Sequence, residues 1–114
     1  MLSYAYKNLG NAHNGLGEFD EAATALKRST AIAPANAAAY FNLGVTLYNA
    51  KRFSEAVVAY REVLRLRPSL PQALYNLGLT YVAINDQKSA REQYEALKAI
   101  NSDLAKQLEK AIKR

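Results

Sequence analysis

Residues 37–70 read AAAYFNLGVTLYNAKRFSEAVVAYREVLRLRPSL, and this stretch decides the fold. Tyr40, Leu43, Gly44 and Leu47 stand at i, i+3, i+4 and i+7, which puts them on one apolar face of a helix. Ala56, Tyr60, Val63 and Leu64 make the matching face of a second helix. Asn49–Arg52 forms the turn between the two without a glycine, and Pro68 cannot continue the second helix and so ends it. Glycine inside a helix costs up to about 1 kcal/mol relative to alanine. Gly44 is expected to be tolerated because two helices approach closely there, with the small Ala56 opposite it serving the same end.

Outward from this stretch the pattern recurs in both directions, without a gap, at a spacing of 34 residues. The segments are Ser3–Asn36, Ala37–Leu70 and Pro71–Leu104. Leu9–Gly10, Leu43–Gly44 and Leu77–Gly78 fall in register. So do Tyr6, Tyr40 and Leu74 upstream, Ala22, Ala56 and Ala90 downstream, and then Leu26, Tyr60 and Tyr94. Pro34 and Pro68 close the first two segments, and Gly15 and Gly17 supply the first turn. After the third segment, Leu104, Ala105, Leu108, Ala111 and Ile112 form an amphipathic helix whose polar face carries Lys106, Glu109, Lys110 and Lys113. Residues 103–114 therefore read as a capping helix with one face on the last repeat and one in water, started by Ser102 or Asp103. No such cap precedes the first segment, so Tyr4 and its apolar neighbours are expected to be exposed or covered by something else.

With bulky–x–x–Leu–Gly and alanine in register three times and the closing proline twice, the chain resembles the tetratricopeptide repeat (TPR) family. The resemblance covers residues 3–104. It implies a single all-α domain over residues 1–114, a right-handed superhelical α-solenoid of three helix–turn–helix repeats and a cap, with seven helices in all. Departures from the pattern are local. His13 occupies the site of Leu47 and Tyr81, Ser29 replaces a small apolar residue, Gln87 replaces the aromatic of Phe19 and Phe53, and Ser102 stands where a proline would be. The first repeat is expected to pack less tightly and the third to end differently.

Composition fits a globular helical domain: half the 114 residues are apolar and 22 % are charged. The absence of cysteine excludes disulfides, thiolate catalysis and cysteine-ligated zinc. No apolar run approaches the roughly 20 residues of a membrane span, so membrane insertion is not expected. The start of the chain has no signal-peptide pattern. Nothing fixes the compartment; the cytoplasm is favoured and the periplasm stays open. The formal charge of +5 reads as a mixed, solvated surface, with Lys106, Lys110, Lys113 and Arg114 gathered at the end.

The search for chemistry finds no catalytic residue, cofactor or metal site. His13 is the only histidine and its register places it packed between the two helices of the first repeat. No serine or threonine has an evident His–Asp partner. The glycines of residues 10–17 follow no strand and precede no Gly–Lys–Ser/Thr. Glu18, Asp20 and Glu21 cluster where a helix starts and suit its positive dipole end. Arg61, Arg65 and Arg67, with Lys27 and Arg28 one repeat earlier, make a diffuse basic stripe along the second helices without interleaved aromatics. A nucleic-acid role is not expected.

The resemblance further implies that the first helix of each repeat lines a concave groove. Carried over, the groove positions are Tyr4, Lys7, Asn8, Asn11 and Asn14; Ala38, Phe41, Asn42, Val45, Tyr48 and Asn49; and Gln72, Tyr75, Asn76, Leu79 and Val82. They lie roughly 100–200° round the helix from the core face. Residues off the core face are expected to be polar unless they meet a partner, and Phe41, Val45, Tyr48, Tyr75, Leu79 and Val82 are not. Either they form an apolar binding patch or they are partly buried between neighbouring helices. Some chaperone adaptors of the family grip a partner's C-terminal carboxylate with Lys and Asn, then Asn, then Lys and Arg. Lys7, Asn11 and Asn42 match that clamp, but Gln72 and Asn76 stand where its last two cations belong, which removes charge-assisted bonds.

The expected function is a protein-interaction scaffold. Phe41, Val45, Tyr48, Tyr75 and Leu79 would seat a peptide or partner segment, with Lys7, Asn11, Asn42 and Asn76 binding its backbone or an acidic side chain. Alternatives are a self-associating structural module, an accessory domain of a larger protein and the carboxylate clamp. The chain is expected as a monomer or weak homo-oligomer.

Overall fold

The computed structural model describes residues 2–113, without the side chains of Leu2 and Tyr4. The expectations for Tyr4 and Arg114 therefore fall outside the described residues. Among the described residues seven helices follow one another: α1 Leu2–Gly15, α2 Phe19–Ile32, α3 Ala37–Asn49, α4 Phe53–Leu66, α5 Pro71–Ala83, α6 Gln87–Lys98 and α7 Ser102–Ile112. There is no strand among the described residues, and the chain is an all-α helical-repeat solenoid of 40 × 24 × 20 Å. Each helix packs on its neighbours in sequence, and α7 also packs on α5.

The register sets the core. Ala22, Ala56 and Ala90, one per repeat, are fully buried. The alanines are not the glycines' closest neighbours, although the Ala22 carbonyl would lie 3.1 Å from a Cβ on Gly10. A Cβ on Gly10 would lie 2.6 Å from Leu26, and one on Gly44 would lie 2.6 Å from the Tyr60 ring. The close neighbour is the bulky residue four positions after the alanine, because that side chain has to pass beneath the first helix of the repeat. In the third repeat the intruder is Leu108 of α7, again at 2.6 Å. The last helix thus fills the place where another repeat would begin.

Local departures resolve individually. Ser29 is buried and bonds to α1: its hydroxyl donates to the Ser3 carbonyl at 2.8 Å, and the Ser3 hydroxyl donates to the Ser29 carbonyl at 2.9 Å. His13 is not packed between helices as its register implied. It is half-buried near the α1–α2 turn, where Nδ1 lies 2.9 Å from Glu18 Oε1. Glu18 is accordingly spent on that contact and only Asp20 and Glu21 sit in the first turn of α2. The start of α7 is capped one residue earlier than read, by Asn101, whose side chain accepts from the Leu104 amide at 3.1 Å. Helix α6 has 12 residues against 14 in α2 and α4, so the third repeat ends differently.

The turns share one conformation. Gly17 has φ +79°, and its register equivalents Lys51 and Asn85 have φ 62° and 63°. The left-handed position comes free with glycine, while asparagine tolerates it and lysine adopts it at a cost. Lys27–Glu55 and Arg52–Asp20 pair across the first repeat junction, each at 3.5 Å. Exposed pairs of this kind add little stability but do mark which residues meet.

Candidate functional site

Two hollows are lined by residues of α3 and α5 and of the segments that precede them. The first, about 390 Å³, is lined by Ala35, Asn36, Ala37, Ala38, Phe41, Asn42, Arg67, Leu70 and Gln72. The second, about 160 Å³, is lined by Val45, Tyr48, Asn49, Tyr60, Asn76 and Leu79. They follow one another along α3. Ala38 and Val45 are seven residues apart, which is roughly 10 Å of helix.

The second hollow depends on Gly44. Tyr60 belongs to α4, yet the missing Cβ lets its ring cross beneath α3 and reach the groove. The ring is almost fully buried and meets Phe41 edge-on at 5.9 Å between centroids. Its hydroxyl faces the side chain of Asn76 on α5, and both residues line the hollow. Burial holds the Tyr60 phenol well above its ordinary range, and the neighbouring Asn76 side chain acts against that shift. The hollow therefore has an apolar wall from Val45, Tyr48 and Leu79 and a polar floor from Tyr60 and Asn76. Tyr48 is held in turn by Phe53, edge-on at 5.2 Å.

Phe41 and Asn42 line the first hollow, and Val45, Tyr48, Asn76 and Leu79 line the second. Tyr75, Lys7 and Asn11 line neither. Phe41, Val45, Tyr48, Tyr75, Leu79 and Val82 are each half-buried and packed against the core, so they form walls between helices and not a bare patch. Sequence reasoning missed Tyr60, which reads as an ordinary core residue of the second helix. Its signal was the rare pairing of an interior glycine with a tyrosine, where a polar end has to emerge somewhere.

Arg67 was also misplaced. Helix α4 stops at Leu66, so Arg67 turns away from the basic stripe and lines the first hollow beside Asn42 and Gln72. Arg61 and Arg65 stay on the other side, around a hollow of about 460 Å³ that also holds Glu92, and Arg65 pairs with Glu62 at 3.0 Å. The stripe is broken and partly neutralised. Among the described residues no group of three or more His, Asp or Glu side chains gathers. No helix among them is long and apolar enough to cross a membrane.

Among solved structures, the second TPR domain of human RPAP3, in complex with the HSP70 peptide SGPTIEEVD, is 20 % identical with a TM-score of 0.92, over 100 % of this chain and 97 % of that one. The first TPR of Spaghetti (RPAP3), bound to the HSP90 peptide SRMEEVD, is 21 % identical with a TM-score of 0.85, over 96 % and 90 %. The Sgt2 TPR domain from Aspergillus fumigatus is 25 % identical with a TM-score of 0.87, over 98 % and 77 %. No curated protein matches the chain. The family model for the tetratricopeptide repeat matches residues 7–71 and 53–105. With that match spanning most of the sequence, the chain belongs to the tetratricopeptide repeat family.

Proposed function

We propose that the chain is a protein-interaction module, without catalytic activity, that seats a short segment of a partner along the two hollows of the concave groove. The observation that carries this reading is the pair of adjacent hollows with apolar walls and polar lining on α3 and α5. Half-buried aromatics held by neighbours give contact area at low entropic cost, as Tyr48 does against Phe53. Asn42 and Gln72 offer amide groups to a ligand backbone, and Arg67 offers the first hollow a cation. Lys7 and Asn11 would reach a longer ligand one repeat away.

The RPAP3 structures carry peptides that end in Glu-Glu-Val-Asp. A terminal-carboxylate grip of that kind is the second reading, supported by Lys7, Asn11 and Asn42. Against it, Gln72 and Asn76 are uncharged. An internal apolar segment with one acidic residue toward Arg67 fits the lining better. A modest groove of this size gives weak, reversible binding.

The test is a short-peptide library in two arms, with free and with blocked C-termini. The reading expects apolar or aromatic motifs to be enriched in both arms and lost on Tyr48→Glu, with Gln72→Ala weakening them while the helical circular dichroism is kept. Enrichment restricted to free C-termini and abolished by Lys7→Ala would replace it with the clamp. No enrichment in either arm would reject the short-peptide reading.

A further inference from the structure

The outer face of the first repeat is built like an interface and stands open. Leu9 is 48 % exposed, whereas its register equivalents Leu43 and Leu77 are 6 % and 2 % exposed. Ala5 and Ala12 are exposed, whereas Ala39, Ala73, Thr46 and Thr80 at the same positions are fully buried. In the later repeats the preceding second helix covers this stripe. In the first repeat a hollow of about 240 Å³ remains, lined by Tyr6, Leu9, Glu21, Thr24, Ala25 and Arg28.

Charge and shape on this face are symmetric about one level. On α1, Leu9 lies between the small Ala5 and Ala12, four residues before it and three after. On α2, Glu21 and Arg28 lie seven residues apart, roughly 10 Å on the same side, with the small Thr24 and Ala25 midway. Leu9, Thr24 and Ala25 line one hollow, so both helices share that centre. Arg28 is held on the face by the Tyr6 ring, 5.8 Å from its centroid. No ion pair to Glu21 forms among the described residues, although its register equivalent Glu55 pairs with Lys27 of the preceding repeat.

We propose that this face binds a second copy of the chain about a two-fold axis through Leu9 and the Thr24–Ala25 level. The axis sets α1 antiparallel on α1 and α2 antiparallel on α2. Leu9 then meets Leu9, Ala5 meets Ala12, and Glu21 of each copy faces Arg28 of the other. Such a patch is self-complementary, as a two-fold interface requires. The polar outer face of α7 offers no comparable surface for a head-to-tail contact.

Sedimentation equilibrium of the 114-residue chain from about 10 µM to about 1 mM tests this. The mass is expected to rise from 12.6 kDa toward twice that value. Leu9→Glu should abolish the rise. Arg28→Glu and Glu21→Arg, each of which sets like charges opposite one another twice, should each weaken dimerisation at least about tenfold. The double variant Glu21→Arg with Arg28→Glu should restore it, although the Arg28–Tyr6 contact is gone. Circular dichroism melts confirm that each variant is folded. A monomer at every concentration, a dimer indifferent to Leu9→Glu, or a double variant that stays monomeric would overturn the proposal. Peptide binding at the concave groove is read separately and should survive Leu9→Glu.

Discussion

Gly10 and Gly44 hold the same position in successive repeats and admit different neighbours. Behind Gly10 sits Leu26, which fills space and carries no polar group. Behind Gly44 sits Tyr60, which fills the same space and brings a hydroxyl through to the hollow that Asn76 also lines. One repeat therefore has an apolar side chain behind its glycine and an open outer face, while the junction of the next two has a covered outer face and a lined hollow within. The same backbone pattern supports two different surfaces. One bulky side chain behind a glycine sets the inner surface, and the presence of a neighbouring helix sets the outer one.

The largest effect that would break this comparison is in the paired leucines. Leu43→Ala should cost about 2–5 kcal/mol because the site is buried on both sides. Leu9→Ala should cost less than about 1 kcal/mol in dilute solution, where its outer side faces water. Equal losses in urea titrations would mean that the first repeat is covered after all. Next comes Gly44→Ala, which drives a methyl into the Tyr60 ring and should cost about 1–3 kcal/mol. Gly78→Ala should cost less, because the atoms it meets are the branched end of the flexible Leu108.

The smallest effect sharpens the role of the hydroxyl. Tyr60→Phe removes the hydroxyl beside Asn76 and should lose about 0.5–1.5 kcal/mol. It should also alter the alkaline limb of stability. Burial raises the Tyr60 pKa above the ordinary 10.0, so the folded state favours the neutral phenol. That contribution is complete below pH 10 and fades as pH rises above it, when the unfolded chain releases the proton first. Stability measured from pH 9 to 11 should therefore fall less steeply for Tyr60→Phe than for the parent. Identical slopes would remove the tyrosine from the account.

Much of the fold was legible because the repeat is written in residue types with strong physical requirements. Interior glycine, small alanine and closing proline located the helices, and even the unequal third repeat showed in Gln87 and Ser102. The turns were half legible: Gly17 announced a left-handed residue, but Lys51 and Asn85 adopt the same conformation without glycine. The groove was legible only as a list of positions. Whether Phe41 or Leu79 is bare or half-buried depends on the distance between α3 and α5, which no single-helix pattern contains. Tyr60 and Arg67 were illegible for a related reason. One reaches the groove through a gap in another helix, and the other leaves its helical face because α4 ends one residue before it. His13 failed because it was read by the register of the buried Leu47 and Tyr81, whereas an imidazole can pair with a polar neighbour and here meets Glu18.

The central claim is that partners bind at the two concave hollows, and amide NMR mapping tests it most directly. An enriched peptide titrated into the labelled chain should perturb amides around Phe41, Asn42, Val45, Tyr48, Asn76 and Leu79, leaving Val58, Glu62 and Arg65 on the outer side unmoved. Perturbations centred on α4 and α6 around Arg61, Ser89 and Glu92, with α3 silent, would contradict the account.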